Sequence, residues 1–244
     1  MRWVGLALVA ALLLSGRAEA QGGGDGFLFR APSGSISLRT GFDRATAGSD
    51  VFKFVTDQLT LGLGDFSSST FQSDIDYRLT RRVGVAFGVS VSRSTKLSEF
   101  RHWVDNNNRA IEQTTMFVRL PLSASVKAYI IEPGRSVGHF AWIPARYAPY
   151  VGGGGGAMWY RFRQNGDFID FATRNVFPDL FDSTGWTPTF QGFAGTDIAL
   201  GLRFAVTAEA RYQWARARMG KDFTAFDRID LSGLAVLAGI SVRY

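Results

Sequence analysis

Two histidines, His102 in "EFRHWVDNNNR" and His139 in "GRSVGHFAW", are the only imidazoles in the chain, and there is no cysteine. A Ser, a His and a carboxylate can form a nucleophilic triad wherever the fold brings them together, whatever their order in sequence. The two histidines fall on opposite sides of a long alternating segment, so a shared site or a two-histidine metal site is not expected. "DNNNR", residues 105–109, offers oxygens to a cation but lacks the spacing of a calcium loop, and a surface turn is the expectation. "VGGGGGAMWYRF" is rich in glycine, yet no Gly-Lys-Ser/Thr and no helix follow it, as a phosphate-cradling loop requires. Glycines in a strand more often make room for a bulky neighbour, here Trp159 or another lumen side chain. No catalytic residue, metal ligand or cofactor is nominated.

The remaining charged residues show a different pattern. Arg39, the series Asp74, Asp76 and Arg78, then Arg119, Lys127, Asp197, Arg203, the pair Glu209 and Arg211, and Arg243 all fall on the polar face of segments whose polar and apolar residues alternate. Successive side chains of a strand point to opposite faces. Mixed charges at this spacing suit a closed interior in which each charge must find a partner. Their expected role is a neutralising network, with conduction secondary.

Eight such segments divide the chain: residues 35–43, 71–79, 83–92, 114–130, 150–162, 190–200, 203–214 and 233–244. The facing of the fifth is blurred by its glycines. Connections alternate between short and long, except that residues 131–148 are longer than the pattern predicts and carry Pro133, Gly134 and Pro144. Even strand number with long loops at one end is the layout of a membrane barrel. The polar face is made of Gly, Ala, Ser and scattered charges, which fits a crowded eight-strand lumen, so the apolar face is assigned to lipid. Tyr77, Tyr150 and Tyr244 near the short turns, with Tyr160, Trp186, Tyr212 and Trp214 near the long loops, suggest two aromatic belts.

Residues 1–20 have a positive start, an apolar run too short to span a bilayer and an Ala-Glu-Ala cleavage site, the features of a secretory signal. Residues 21–34 are too few to fold alone, and 35–244 form the barrel. Formal net charge is +6 with no basic run, which argues against nucleic acid as a partner. In the first long loop, Ser49 is a candidate N-cap and Val51, Phe52, Phe54, Val55 and Leu59 recur at helical spacing. The third long loop carries Phe168, Phe171, Phe177, Leu180 and Phe181. With Phe54, these phenylalanines form an apolar loop patch that either packs loop on loop or admits hydrophobic molecules.

The signal, the eight segments and the ending "LAGISVRY" together resemble the small outer-membrane β-barrels of the OmpA/OmpW-like superfamily. The last strand's Ile240, Val242 and terminal Tyr244 are similar to the signal by which the barrel-assembly machinery recognises its clients. The resemblance implies an all-β fold, a closed antiparallel eight-stranded transmembrane barrel with long extracellular loops. It implies a monomer in the outer membrane, in contact with its lipids. Some barrels of this kind act on lipid A, but the His-x-Ser of a deacylase is not matched by His102-Trp103-Val104. A structural or surface role with a filled lumen is the leading expectation. A narrow conduit for small hydrophobic solutes is the alternative, and a lipid-modifying enzyme a distant third.

Overall fold

A computed structural model describes residues 27–105, 107–137, 141–170, 173 and 175–244. The signal expected over residues 1–20, together with His139 and Phe171, lies outside the described residues. The chain forms β1 (Gly34–Ala45), α1 (Asp50–Gln58), β2 (Ser68–Arg78), β3 (Val83–Val104), β4 (Ala110–Tyr129), β5 (Gly134–Val137), β6 (Ala141–Pro144), β7 (Tyr147–Ile169), β8 (Val176–Ala199), β9 (Phe204–Ala217), β10 (Ile229–Asp230) and β11 (Gly233–Arg243). Eight strands pair antiparallel in the order β1-β2-β3-β4-β7-β8-β9-β11, and β11 returns to β1. Every ring strand therefore has two neighbours, which closes the sheet and leaves no edge.

Alternation decides the facing. On β11, Leu234, Val236, Ile240 and Val242 are outward and open, whereas Leu237, Ser241 and Arg243 are buried inside. The outward apolar stretch from Leu234 to Tyr244 covers ten residue steps. At ~3.3 Å per residue and a tilt of ~40°, it is roughly 25 Å tall, the height of a bilayer's hydrocarbon band. Tyr77, Tyr147 and Tyr244 ring the lower edge, and Trp186 and Trp214 the upper one. Tyr150 and Tyr160, expected in those belts, are instead buried in the lumen. Trp159 is also reversed: it faces out, directly opposite Trp186.

The glycine run of β7 explains the reversal, because its small residues hide the alternation that would have fixed its facing. A Cβ at Gly152 would collide with the ring of Phe193, and one at Gly195 would lie 2.6 Å from the Tyr150 hydroxyl. The space is needed by Phe193 and Tyr150, not by Trp159.

The second and third long connections are strands rather than loops. β3 and β4 remain paired as far as Val104 and Ala110, and β7 and β8 as far as Ile169 and Val176. Beyond Trp186, residues 176–185 of β8 extend the β7–β8 pair by roughly 33 Å along the strand at ~3.3 Å per residue, or roughly 25 Å in height at the same ~40° tilt. Phe168, Phe177 and Phe181 thus stand on strand extensions.

Candidate functional site

The lumen is filled in layers, and each layer follows from which inward positions the strands bring to one height. In the middle, the Arg39 guanidinium lies between Asp74 and Glu209. Arg211 meets Glu209 at 2.8 Å and Asp74 at 3.7 Å. The Tyr150 hydroxyl donates to Glu209 at 2.9 Å, and Gln72 donates to Asp74 at 2.7 Å. Two guanidinium groups and two carboxylates neutralise one another, and Tyr150 and Gln72 donate to the same oxygens that Arg39 meets. That neutrality matters, since a buried charge without a partner costs several kcal/mol.

One layer nearer the outer face, Arg119 pairs with Asp43 at 2.8 Å and donates to the carbonyl oxygens of Leu231 and Ser232 at 3.2 and 3.3 Å. One layer nearer the short-turn end, Lys127 sits 3.5 Å from Asp197 and 3.9 Å from Asp76. Its ammonium also lies 4.0 Å from the centre of the Tyr150 ring, and the Tyr129 hydroxyl donates to Asp197 at 2.6 Å.

Above Arg119 the contents change from charged to aromatic. Helix α1 drops its Val51, Phe52, Val55 face into the mouth, and all three are fully buried. Phe52 makes edge-to-face contacts with Phe66, Phe117 and Phe162 at centroid separations of 4.7, 5.3 and 5.7 Å. Phe117 and Phe162 are inward residues of β4 and β7. The expectation of a lumen lined only by small and charged side chains therefore fails in its outer half.

Ser49 stands at the N-cap, but its hydroxyl does not cap the helix. It accepts the N–H of Asp230 at 3.1 Å, while the Asp50 carboxylate accepts the N–H of Asp227 at 2.9 Å. The helix is thereby tied to the connection between β9 and β11. A short 3-10 turn after it, Leu63–Phe66, is held by Asp65. The Asp65 carboxylate accepts the Gly62 N–H at 2.9 Å and lies 3.3 Å from the Lys96 ammonium. The backbone hydrogen bond, with Lys96 assisting, keeps this carboxyl below its ordinary range.

The short-turn end has a lid that the sequence signalled only by excess length. Within the connection from β4 to β7, Gly134–Val137 and Ala141–Pro144 pair antiparallel as β5 and β6, and Trp142 is 3% exposed beneath the barrel. Leu28 bridges to Trp142 through two backbone hydrogen bonds of 2.9 and 2.7 Å. The guanidinium carbons of Arg78 and Arg243 stand 5.9 and 5.8 Å from the indole centre.

Of the eleven charged residues nominated from sequence, the middle and flanking layers gather Arg39, Asp74, Asp76, Arg119, Lys127, Asp197, Glu209 and Arg211. Arg78 and Arg243 stand apart at the lower mouth. Arg203 lies outside the network, half-exposed in the turn between β8 and β9. Asp43, Tyr129, Tyr150 and Trp142 belong to these layers and were missed. Asp43 carried a usable signal, since it shares the inward parity of Arg39.

Four of the five nominated loop phenylalanines, Phe54, Phe168, Phe177 and Phe181, border one outer cleft of about 230 Å³, joined by Phe100 and Phe226. Val55, Leu59 and Phe223 close its floor and are buried. The cleft is blind: its floor belongs to the core around Phe52. His102 is exposed on the β3 extension, outside this cleft and the lumen.

A closed eight-stranded barrel with outward apolar strands and a charged, plugged interior is the class these features define. The chain is similar to several small outer-membrane barrels of known structure. Neisserial surface protein A is 12% identical over 87% of this chain and 97% of its own, at a TM-score of 0.47. Ail, the attachment invasion locus protein of Yersinia pestis, is 13% identical over 87% and 99%, at 0.45. Outer membrane protein W of E. coli is 15% identical over 88% and 100%, at 0.40. No family model matches the chain, and no curated protein matches it. Ring closure, facing and lumen contents stand on the chain's own geometry, independent of these likenesses.

Proposed function

We propose that this protein is an integral outer-membrane β-barrel with a structural and surface-presenting role, and that it does not conduct. The carrying observation is the threefold closure of the lumen, by the Phe52 plug, the Arg39–Asp74–Glu209–Arg211 layer and the Trp142 lid. Eight strands leave an interior that side chains can fill, and here they fill it from mouth to mouth. The outward band of about bilayer height, flanked by tyrosine and tryptophan, supports placement in a membrane. The two long hairpins then project from the cell surface as its contact elements. Planar-bilayer recording with the folded full chain tests the reading. The expected trace has no steady conductance, and a stable ohmic current above the lipid baseline would overturn it.

One observation favours a second reading. The phenylalanine cleft faces outward and is large enough for a small apolar molecule. Because its floor is closed, such a molecule would be held rather than passed through. Displacement of an apolar fluorescent dye, compared between the parent and Phe177→Asp, separates this from mere packing of one loop on another. Equal dye binding by both removes the second reading.

A further inference from the structure

The lower mouth of the barrel holds more arginine than carboxylate. Arg243 is 5% exposed, and both of its terminal guanidinium nitrogens are buried without a hydrogen-bond partner. The neighbouring carboxylates are already engaged: Asp197 by Lys127 and the Tyr129 hydroxyl, Asp76 by Lys127 and the Ser35 hydroxyl at 3.2 Å. Arg78, on the same indole, adds a second positive charge rather than a partner. A guanidinium stays charged at any ordinary pH and carries five donors in one plane. Leaving such donors buried and unpaired is costly, and the lower mouth carries positive charge in excess of its carboxylate partners.

A cleft of about 530 Å³ adjoins Arg243 and shows what kind of anion would answer that charge. Its open cationic walls are Arg30 and Arg203, while Arg243 borders it with the ends of its guanidinium buried, and no acidic side chain lines it. The Arg203 carbonyl accepts the Arg243 N–H at 2.8 Å, which fixes the two residues side by side. Apart from Ser33, the rest of the wall is apolar or aromatic, including Leu28, Phe29 and Tyr244. Phe29 and Tyr244 are both exposed, and Tyr244 belongs to the lower tyrosine ring. Arginines beside an apolar rim, at the level where the strands leave the lipid-facing band, match an anion that carries hydrocarbon. A free phosphate would use the guanidinium groups and leave the rim idle.

We propose that this cleft binds the phosphodiester headgroup of a glycerophospholipid from the periplasmic leaflet. Arg203 and Arg30 hold the phosphate oxygens, and the buried Arg243 guanidinium adds positive charge behind them. The acyl chains run upward past Tyr244 along the outward face of β11. The site rests on the outer-membrane placement proposed above. Its function is to anchor the N-terminal segment and the Trp142 lid to the membrane surface.

Native mass spectrometry of the folded full chain, released from micelles doped with phosphatidylglycerol, tests the site. Arg30→Gln and Arg203→Gln are used because both residues are at least partly open and neither joins the buried ion pairs. The expected result is one retained lipid per chain, with retention falling about tenfold for each arginine removed. Millimolar inorganic phosphate should not displace the lipid. Equal retention by the parent and the double variant overturns the site. Displacement by inorganic phosphate at matched concentration overturns the lipid assignment in favour of a plain anion. A boiled-versus-unboiled gel shift on the same samples reports the barrel separately. Lost retention with the shift intact in the parent defeats this proposal alone, whereas loss of the shift defeats the membrane-barrel reading.

Discussion

Arg39 and Glu209, 170 residues apart in the chain, are joined across the lumen by a hydrogen-bonded ion pair in which the two side chains are 3% and 1% exposed. They stand on β1 and β9, which are not neighbours in the ring, since β11 lies between them. The pair therefore braces the wall across a strand. Replacing Arg39 with Met leaves Asp74 and Glu209 facing Arg211 alone, with one negative charge uncompensated in a buried place. The expected loss is about 3–5 kcal/mol, read as a lower midpoint in urea titration of the folded barrel in micelles. Arg82→Met, which removes an open pair with Glu132 at 3.7 Å, should cost less than about 1 kcal/mol. Equal effects from the two substitutions would show that the lumen layer contributes no special stability.

The plug rests on Phe52 rather than on Phe54. The first is fully buried among Phe66, Phe117 and Phe162, while the second is 43% exposed. Phe52→Ala should cost about 3–5 kcal/mol of helix docking by removing a buried aromatic and leaving a cavity. The ring of strands closes without α1, so trypsin should cut the variant after Lys53 while the barrel keeps its heat-dependent gel shift. Phe54→Ala should remain as resistant as the parent. A Phe52→Ala protein cut no faster than Phe54→Ala would mean that other contacts seat the helix.

Asp65 gives the outer turn a pH dependence. Its carboxyl is held below the ordinary range by the Gly62 N–H and, secondarily, by Lys96. A carboxyl depressed in the folded state contributes stability that is fully present above its unfolded value of about 4. That contribution is lost as pH falls through the lower, folded value. Hydrogen exchange at Gly62 should therefore lose protection under acid conditions, after correction for intrinsic rate. In Asp65→Asn, protection should be low already and no longer follow this titration. A parent profile identical to that of the variant would remove the carboxylate from the account.

The Trp142 lid can be tested chemically because the chain contains no cysteine. Ser35 is buried just inside the lower mouth and donates to Asp76 at 3.2 Å. In Ser35→Cys, a water-soluble thiol reagent should react slowly. Adding Trp142→Ala should raise the labelling rate at least about tenfold, since the opening that admits the reagent becomes a larger share of the population. An unchanged rate would mean that the arginines and the N-terminal segment close the mouth without the indole.

Much of this architecture is legible in the chain, for a reason that also explains where legibility stops. In the proposed membrane setting, lipid on one side and a crowded lumen on the other impose opposite chemistry on successive residues, so β9 and β11 declare themselves. Past the aromatic girdle both faces of a strand meet water, and the constraint disappears. That is why β3 stops at residue 92 in the alternation yet continues to Val104. In β7 the glycines remove the side chains that would have shown the facing, and Tyr150 and Tyr160 were placed on the wrong side. The aromatic plug was obscured differently. Phe117 and Phe162 share the parity of Arg119 and Tyr160, but a large ring on an otherwise polar face is explained only by Phe52, which arrives from a distant loop. The Trp142 lid had a signal in the unusual length of residues 131–148, though length alone cannot say that a hairpin folds back beneath the barrel.

The seam between β1 and β11 joins Ser33 to Tyr244 across 211 positions of the chain, the Ser33 N–H donating to the Tyr244 carbonyl at 2.8 Å. Every other ring pairing joins strands that are closer in sequence, so this contact has the longest loop to close and is reached last by a chain emerging from its N-terminus. Until then β1 and β11 are raw edges, each a row of unpaired N–H and C=O groups able to recruit a strand from a second molecule. The lifetime of that unclosed intermediate, rather than the stability of the finished cylinder, sets the risk of aggregation. Factors that shield the two edges would therefore raise the yield of barrels without changing their melting point.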